Sequence, residues 1–114
     1  MNENSIESFK PLSREDVIRS LKENPENFEL WDKYIVARGK ETENKSQHLS
    51  QEENLELSLK LNTELAEILE ESGLYEMAIT AYEDILDELF QQKKDYTAID
   101  NKINELVKKL ENKT

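Results

Sequence analysis

Between Leu61 and Leu89, two apolar stripes at helical spacing stand on either side of Ser72 and Gly73. In the first, Leu61, Leu65, Ile68 and Leu69 recur at i, i+4, i+7 and i+8. In the second, Ala78, Tyr82, Ile85 and Leu89 recur at i, i+4, i+7 and i+11. Apolar residues at that period make a helix with one face to bury. Gly73 supplies the positive φ that ends one helix and turns the chain back. Ala78 is small and lets the second helix approach the first. The segment is an antiparallel helical hairpin built for packing, with no catalytic chemistry in it.

The flanking sequence reads as further helices. Ser13 with Asp16 forms an N-cap pair, and the first helix is predicted to run to about Lys22, burying Val17, Ile18 and Leu21. Pro25 and Asn27 mark a turn. The second helix carries Phe28, Trp31, Tyr34, Ile35 and Ala37 and is predicted to stop near Gly39, which leaves residues 39–49 as a flexible polar loop. Ser50 and Glu53 form a capping box that opens a third helix, predicted to end near Ser72. Leu55, Leu57, Leu59 and Leu61 alternate with polar residues, a strand-like pattern. The segment lacks β-branched residues, however, and runs unbroken into the helical stripe. In a helix those leucines fall on two adjacent stripes, so the third helix is expected to touch neighbours on both sides. The fourth helix is predicted over about Tyr75–Gln91. Gln92 to Lys94 form a turn, and Asp95 caps a fifth helix that buries Tyr96, Ile99, Ile103, Leu106 and Leu110. Residues 1–10 read as a disordered N-terminal tail and residues 11–114 as a single helical domain.

The hairpin resembles a tetratricopeptide repeat, whose 34-residue unit spaces W-x2-L-G-x2-Y, then A-x3-F, then P. Leu65, Ala66 and Leu69 stand at the L, G and Y positions, and Tyr82 follows Ala78 by four, as the F does. Gly73 to Ala78 are similar to that family's turn and the start of its second helix. Asn62 takes the place of the tryptophan and Phe90 that of the proline. The resemblance covers about residues 59–92. One repeat length beyond Asn62, Leu65 and Leu69 lie Tyr96, Ile99 and Ile103, so the last helix, to about residue 112, resembles the closing helix of a repeat stack. Asn24 to Asn27, followed by Trp31 and Tyr34, form a weaker upstream counterpart. The resemblance implies an all-α fold of about five helices in antiparallel hairpins, either a right-handed superhelix fragment or a compact helical bundle. It also implies that Lys60, Thr63, Glu67 and Glu70, on the inner face of the third helix, line a groove for a segment of a partner protein.

The charge narrows the partner. The net charge of −11 is uneven: residues 1–49 hold 10 acidic and 8 basic side chains, residues 50–90 hold 12 and 1, and residues 91–114 hold 4 and 6. The hairpin therefore carries the imbalance. That argues against nucleic acid or an anionic membrane as its partner and favours a basic or amphipathic protein segment. The chain has no cysteine, which excludes thiolate chemistry and fits a cytoplasmic location. No apolar run approaches the roughly 18–20 residues of a membrane span, and no secretory signal is visible.

No catalytic, cofactor-binding or metal-ligating residues are expected. His48 is the single histidine and falls in the polar stretch, no H-E-x-x-H or Glu-x-x-His occurs, and Gly39 and Gly73 stand apart from any phosphate loop. Trp31, Phe28 and Tyr34 are read either as core between the first three helices or as a binding hot spot. The function expected is that of a protein–protein interaction module, an adaptor, assembly factor or chaperone-like protein, without enzyme activity. Two alternatives come from other classes. One is a homo-oligomeric structural bundle paired through the third helix; the other is an acidic mimic of nucleic acid.

Overall fold

The computed structural model describes residues 12–113, so the tail expected over residues 1–10 lies outside the described residues. Five α-helices follow one another: α1 Arg14–Glu23, α2 Glu29–Ser46, α3 Gln51–Glu71, α4 Tyr75–Gln91 and α5 Thr97–Lys113. The fold is all-α, with no strand among the described residues. Each helix packs antiparallel on the next, and α1 also packs on α3.

Local chemistry sets the helix ends. Ser13 Oγ accepts from Asp16 N at 3.2 Å and opens α1. The carbonyl oxygens of the Asn24 and Asn27 side chains accept from Glu26 N and Glu29 N, each at 3.1 Å, and shape the turn around Pro25. Ser50 and Glu53 exchange both bonds of a capping box at the start of α3. The ends of α3 and α4 are built alike. Leu74 N reaches Leu69 O and Gly73 N reaches Glu70 O, both at 3.0 Å, with Gly73 at φ 83°. Lys94 N reaches Leu89 O at 2.9 Å and Lys93 N reaches Phe90 O at 3.1 Å, with Lys93 at φ 57°. Both are Schellman closures around a left-handed residue. Asp95 Oδ1 then takes Thr97 N at 3.0 Å and Thr97 Oγ1 at 2.7 Å, starting α5.

Two expectations are corrected. The first is the stop at Gly39 with a loop over residues 39–49: α2 continues to Ser46, and the connection shrinks to residues 47–50. An isolated glycine costs a helix interior only about 1 kcal/mol. Arg38 pairs across Gly39 with Glu41, and Ser46 Oγ bonds back to Glu43 O at 2.7 Å. The second is Tyr96, expected in the core and found 42% exposed. It precedes the first helical residue, and its ring rests against Phe90 with centroids 6.0 Å apart.

The core has two parts, and α3 lies between them. Val17, Leu21, Tyr34 and Ile68 form one cluster. Ala66, Leu69, Ala78, Tyr82, Ile85 and Leu106 form the other. Trp31 and Leu74 pack against both. The aromatics Tyr34 and Trp31 of α2 and Phe28 at its N-cap thus pack in the core: Tyr34 is buried, and Trp31 and Phe28 are half-buried against its cluster. Leu55, Leu57, Leu59 and Leu61 are all half-buried, which fits two adjacent stripes on a helix flanked on both sides.

The principal extents are 51 × 43 × 15 Å. Two helix layers spaced 8–10 Å, each with Cα atoms about 2.3 Å from its axis, span about 13–15 Å. The slab is therefore no more than two helices deep, and every helix keeps an exposed side.

Candidate functional site

Three helices converge on one polar groove. Arg14 reaches it from the first turn of α1 and Arg38 from the middle of α2. Lys60, Thr63, Glu64 and Glu67 come from successive turns of α3. Its volume is about 390 Å³. The spacing 60, 63, 64, 67 is one face of a helix, so α3 supplies the floor and the two arginines the rim. Three of the four residues singled out in the sequence, Lys60, Thr63 and Glu67, thus stand together.

The groove is mixed in charge. Arg38 Nε and Nη2 each lie 2.9 Å from Glu64 Oε2. Arg14 bonds Glu71 and lies 3.7 Å from Glu67. Thr63 Oγ1 donates to Leu59 O at 2.7 Å and keeps its lone pairs free to accept. Lys60 has no ion-pair partner among the described residues. The surplus of carboxylates is elsewhere: Glu76, Glu83, Asp84 and Asp87 of α4 are exposed, and none lines the groove.

Glu70 does not join the groove's free side chains. Its Oε1 accepts from the Tyr82 hydroxyl at 3.0 Å and its Oε2 from Lys102 Nζ at 3.1 Å. With 15% of its side chain exposed, Glu70 ties α3 to α4 and α5. Desolvation and then the Glu70 carboxylate push the Tyr82 phenol well above its ordinary 10.0. The hydrogen bond to Glu70 raises Lys102 above its ordinary 10.5. On the other flank, burial and then Glu64 raise Tyr34, whose hydroxyl donates to Glu64 Oε1 at 3.1 Å.

The chain matches no protein-family model, no curated protein and no solved structure. Among the described residues no group of three or more His, Cys, Asp or Glu side chains is placed to hold a metal ion, and no helix is long and apolar enough to cross a membrane. Sequence reasoning missed Arg14, Arg38 and Glu64. Glu64 was open to discovery, since it flanks Thr63 on the face already chosen. The two arginines depend on how α1 and α2 lie across α3, which no local pattern encodes.

Proposed function

We propose that this chain is a non-catalytic, cytoplasmic protein-recognition module, tetratricopeptide-like from α3 to α5, that takes an amphipathic segment of a partner protein into the α1–α2–α3 groove. The observation that carries this reading is the convergence of six polar side chains from three helices on one open depression. Preformed grooves of this kind supply orientation and specificity through charge pattern. Two residues have capacity to spare. Lys60 lacks an ion-pair partner among the described residues, and Glu67, with 47% of its side chain exposed, meets Arg14 only at 3.7 Å. They are seven residues apart on α3, about 10 Å along the helix. A segment with an acidic and a basic residue at that separation satisfies both. A purely basic segment would meet Arg14, Arg38 and Lys60 and be repelled, so an amphipathic segment whose polar side carries both signs is the better fit. Neither nucleic acid nor membrane is the partner in this reading.

Affinity capture from the native source, with mass spectrometry, tests it. Wild type is compared with the Lys60→Glu, Glu67→Lys double variant, which conserves net charge. A partner retained by the wild type and lost on reversal supports the groove. The same partners retained by both would refute it.

A further inference from the structure

We propose that α5 is a docking edge for a second copy of this chain, with the two α5 helices antiparallel about a dyad near Asn104. Among the helices α5 packs directly on α4, with only the Lys102–Glu70 ion pair and the shared core reaching α3, whereas α3 is held from both sides. Its packed side is Ile99, Ile103 and Leu106. Beside that stripe are Tyr96, 42% exposed, and Val107, 40% exposed. Tyr96 stands just ahead of the helix, and Val107 lies eleven residues, about three turns, further on. Phe90, 67% exposed, rests its ring on that of Tyr96. Three of the five large apolar side chains exposed among the described residues therefore belong to α5 and the α4–α5 corner that leads into it.

The charges say what covers it. Residues 50–90 carry 12 acidic side chains against one basic, while residues 91–114 carry 4 against 6. α5 lies outside the acidic stretch, so two copies of a chain with net charge −11 can meet there without the repulsion that α3 and α4 would bring. Within α5 the signs are ordered: Asp100 is near the start and Lys108 near the end, both exposed. Each is four residues from Asn104. An antiparallel dyad there sets Asp100 of one copy level with Lys108 of the other, twice over, as a two-fold interface demands. The same arrangement opposes the two helix dipoles and brings the Phe90–Tyr96 corner of each copy alongside Leu110 of the other. One 17-residue helix and an aromatic corner fall short of the roughly 800 Å² per partner of a standard interface. The dimer is accordingly concentration-dependent, in the micromolar range or weaker.

Analytical ultracentrifugation of the full chain, from micromolar to near-millimolar concentration, is the test. The wild type moves from monomer to dimer mass. Val107→Asp, Asp100→Lys and Lys108→Asp each weaken the dimer by about tenfold or more, the equivalent of about 1.4 kcal/mol. The Asp100→Lys, Lys108→Asp pair restores it. The groove variant Lys60→Glu, Glu67→Lys leaves it unchanged, so the two proposals fail separately. All three α5 positions are exposed, and melting curves confirm that each variant is folded; Phe90→Ser gives an independent reading outside α5. A monomer at every concentration overturns the proposal. So does a dimer indifferent to Val107→Asp and Phe90→Ser, or one that the charge swap does not restore.

Discussion

Tyr34 and Tyr82 belong to separate cores yet end on carboxylates of the same helix, Tyr34 on Glu64 at 3.1 Å and Tyr82 on Glu70 at 3.0 Å. In both cases the other oxygen of the glutamate takes a cation, Arg38 at 2.9 Å and Lys102 at 3.1 Å. A large buried ring brings its hydroxyl to the core margin, and the hydroxyl needs an acceptor there. α3 supplies that acceptor on each flank, so one polar unit used twice fixes the central helix against α2 and α4.

The Tyr82 unit separates ring from hydroxyl by mutation. Tyr82→Phe keeps the ring and loses a hydrogen bond to a charged group, a cost of about 1.5–3 kcal/mol. Tyr82→Ala also empties a site that is 2% exposed, and the expected loss is about 3–5 kcal/mol. Urea unfolding of the two variants reads both numbers. A loss below about 1 kcal/mol for Tyr82→Ala would contradict the packing described for α3 and α4.

The raised phenols make stability fall at alkaline pH. The folded chain holds the Tyr82 and Tyr34 protons above the ordinary value of 10.0, and the unfolded chain releases them there. The stabilisation is therefore complete below pH 10 and lost as pH rises through the folded values. Lys102, raised above 10.5 by Glu70, adds a loss of the same sign. Melting temperature followed upward from neutral pH should drop beyond pH 10. In the Tyr34→Phe, Tyr82→Phe double variant the drop should be shallower.

Ala78 sets the distance between α3 and α4. It is fully buried, and Ala78→Leu should overpack the hairpin by about 1–3 kcal/mol. An unchanged melting temperature would mean that Ala78 does not face α3.

The two Schellman turns predict opposite responses to opposite substitutions. Lys93 holds φ 57° with a side chain that disfavours it, so Lys93→Gly should stabilise the protein by about 1 kcal/mol. At Gly73, with φ +83°, an added Cβ meets nothing within 4 Å, so Gly73→Ala should cost about the same through backbone strain alone. Denaturant midpoints of the pair check the prediction, and two shifts of the same sign would contradict it.

How legible this was in the sequence depended on whether the signal was local. The Ser50–Glu53 capping box, Gly73, and the stripe Ala78, Tyr82, Ile85 placed α3 and α4 almost to the residue, because caps and periodicity act over a few positions. The end of α2 was not legible. Its last two turns are polar and largely solvated, so they carry no apolar stripe, and Gly39 mimics a stop. Lys60, Thr63 and Glu67 stand together in one groove because they share a helix face. Glu70 falls outside the groove lining because its partners, Tyr82 and Lys102, lie on two other helices, which no local pattern shows. The arginine rim was hidden for the same reason.

The most direct test of groove recognition places a photo-crosslinking amino acid at Thr63, on the groove floor, and a control at Thr80, exposed on α4. Irradiation with the native lysate should crosslink a defined partner segment of mixed charge from position 63 and not from position 80. The same products from both positions, or none from position 63, would contradict the account.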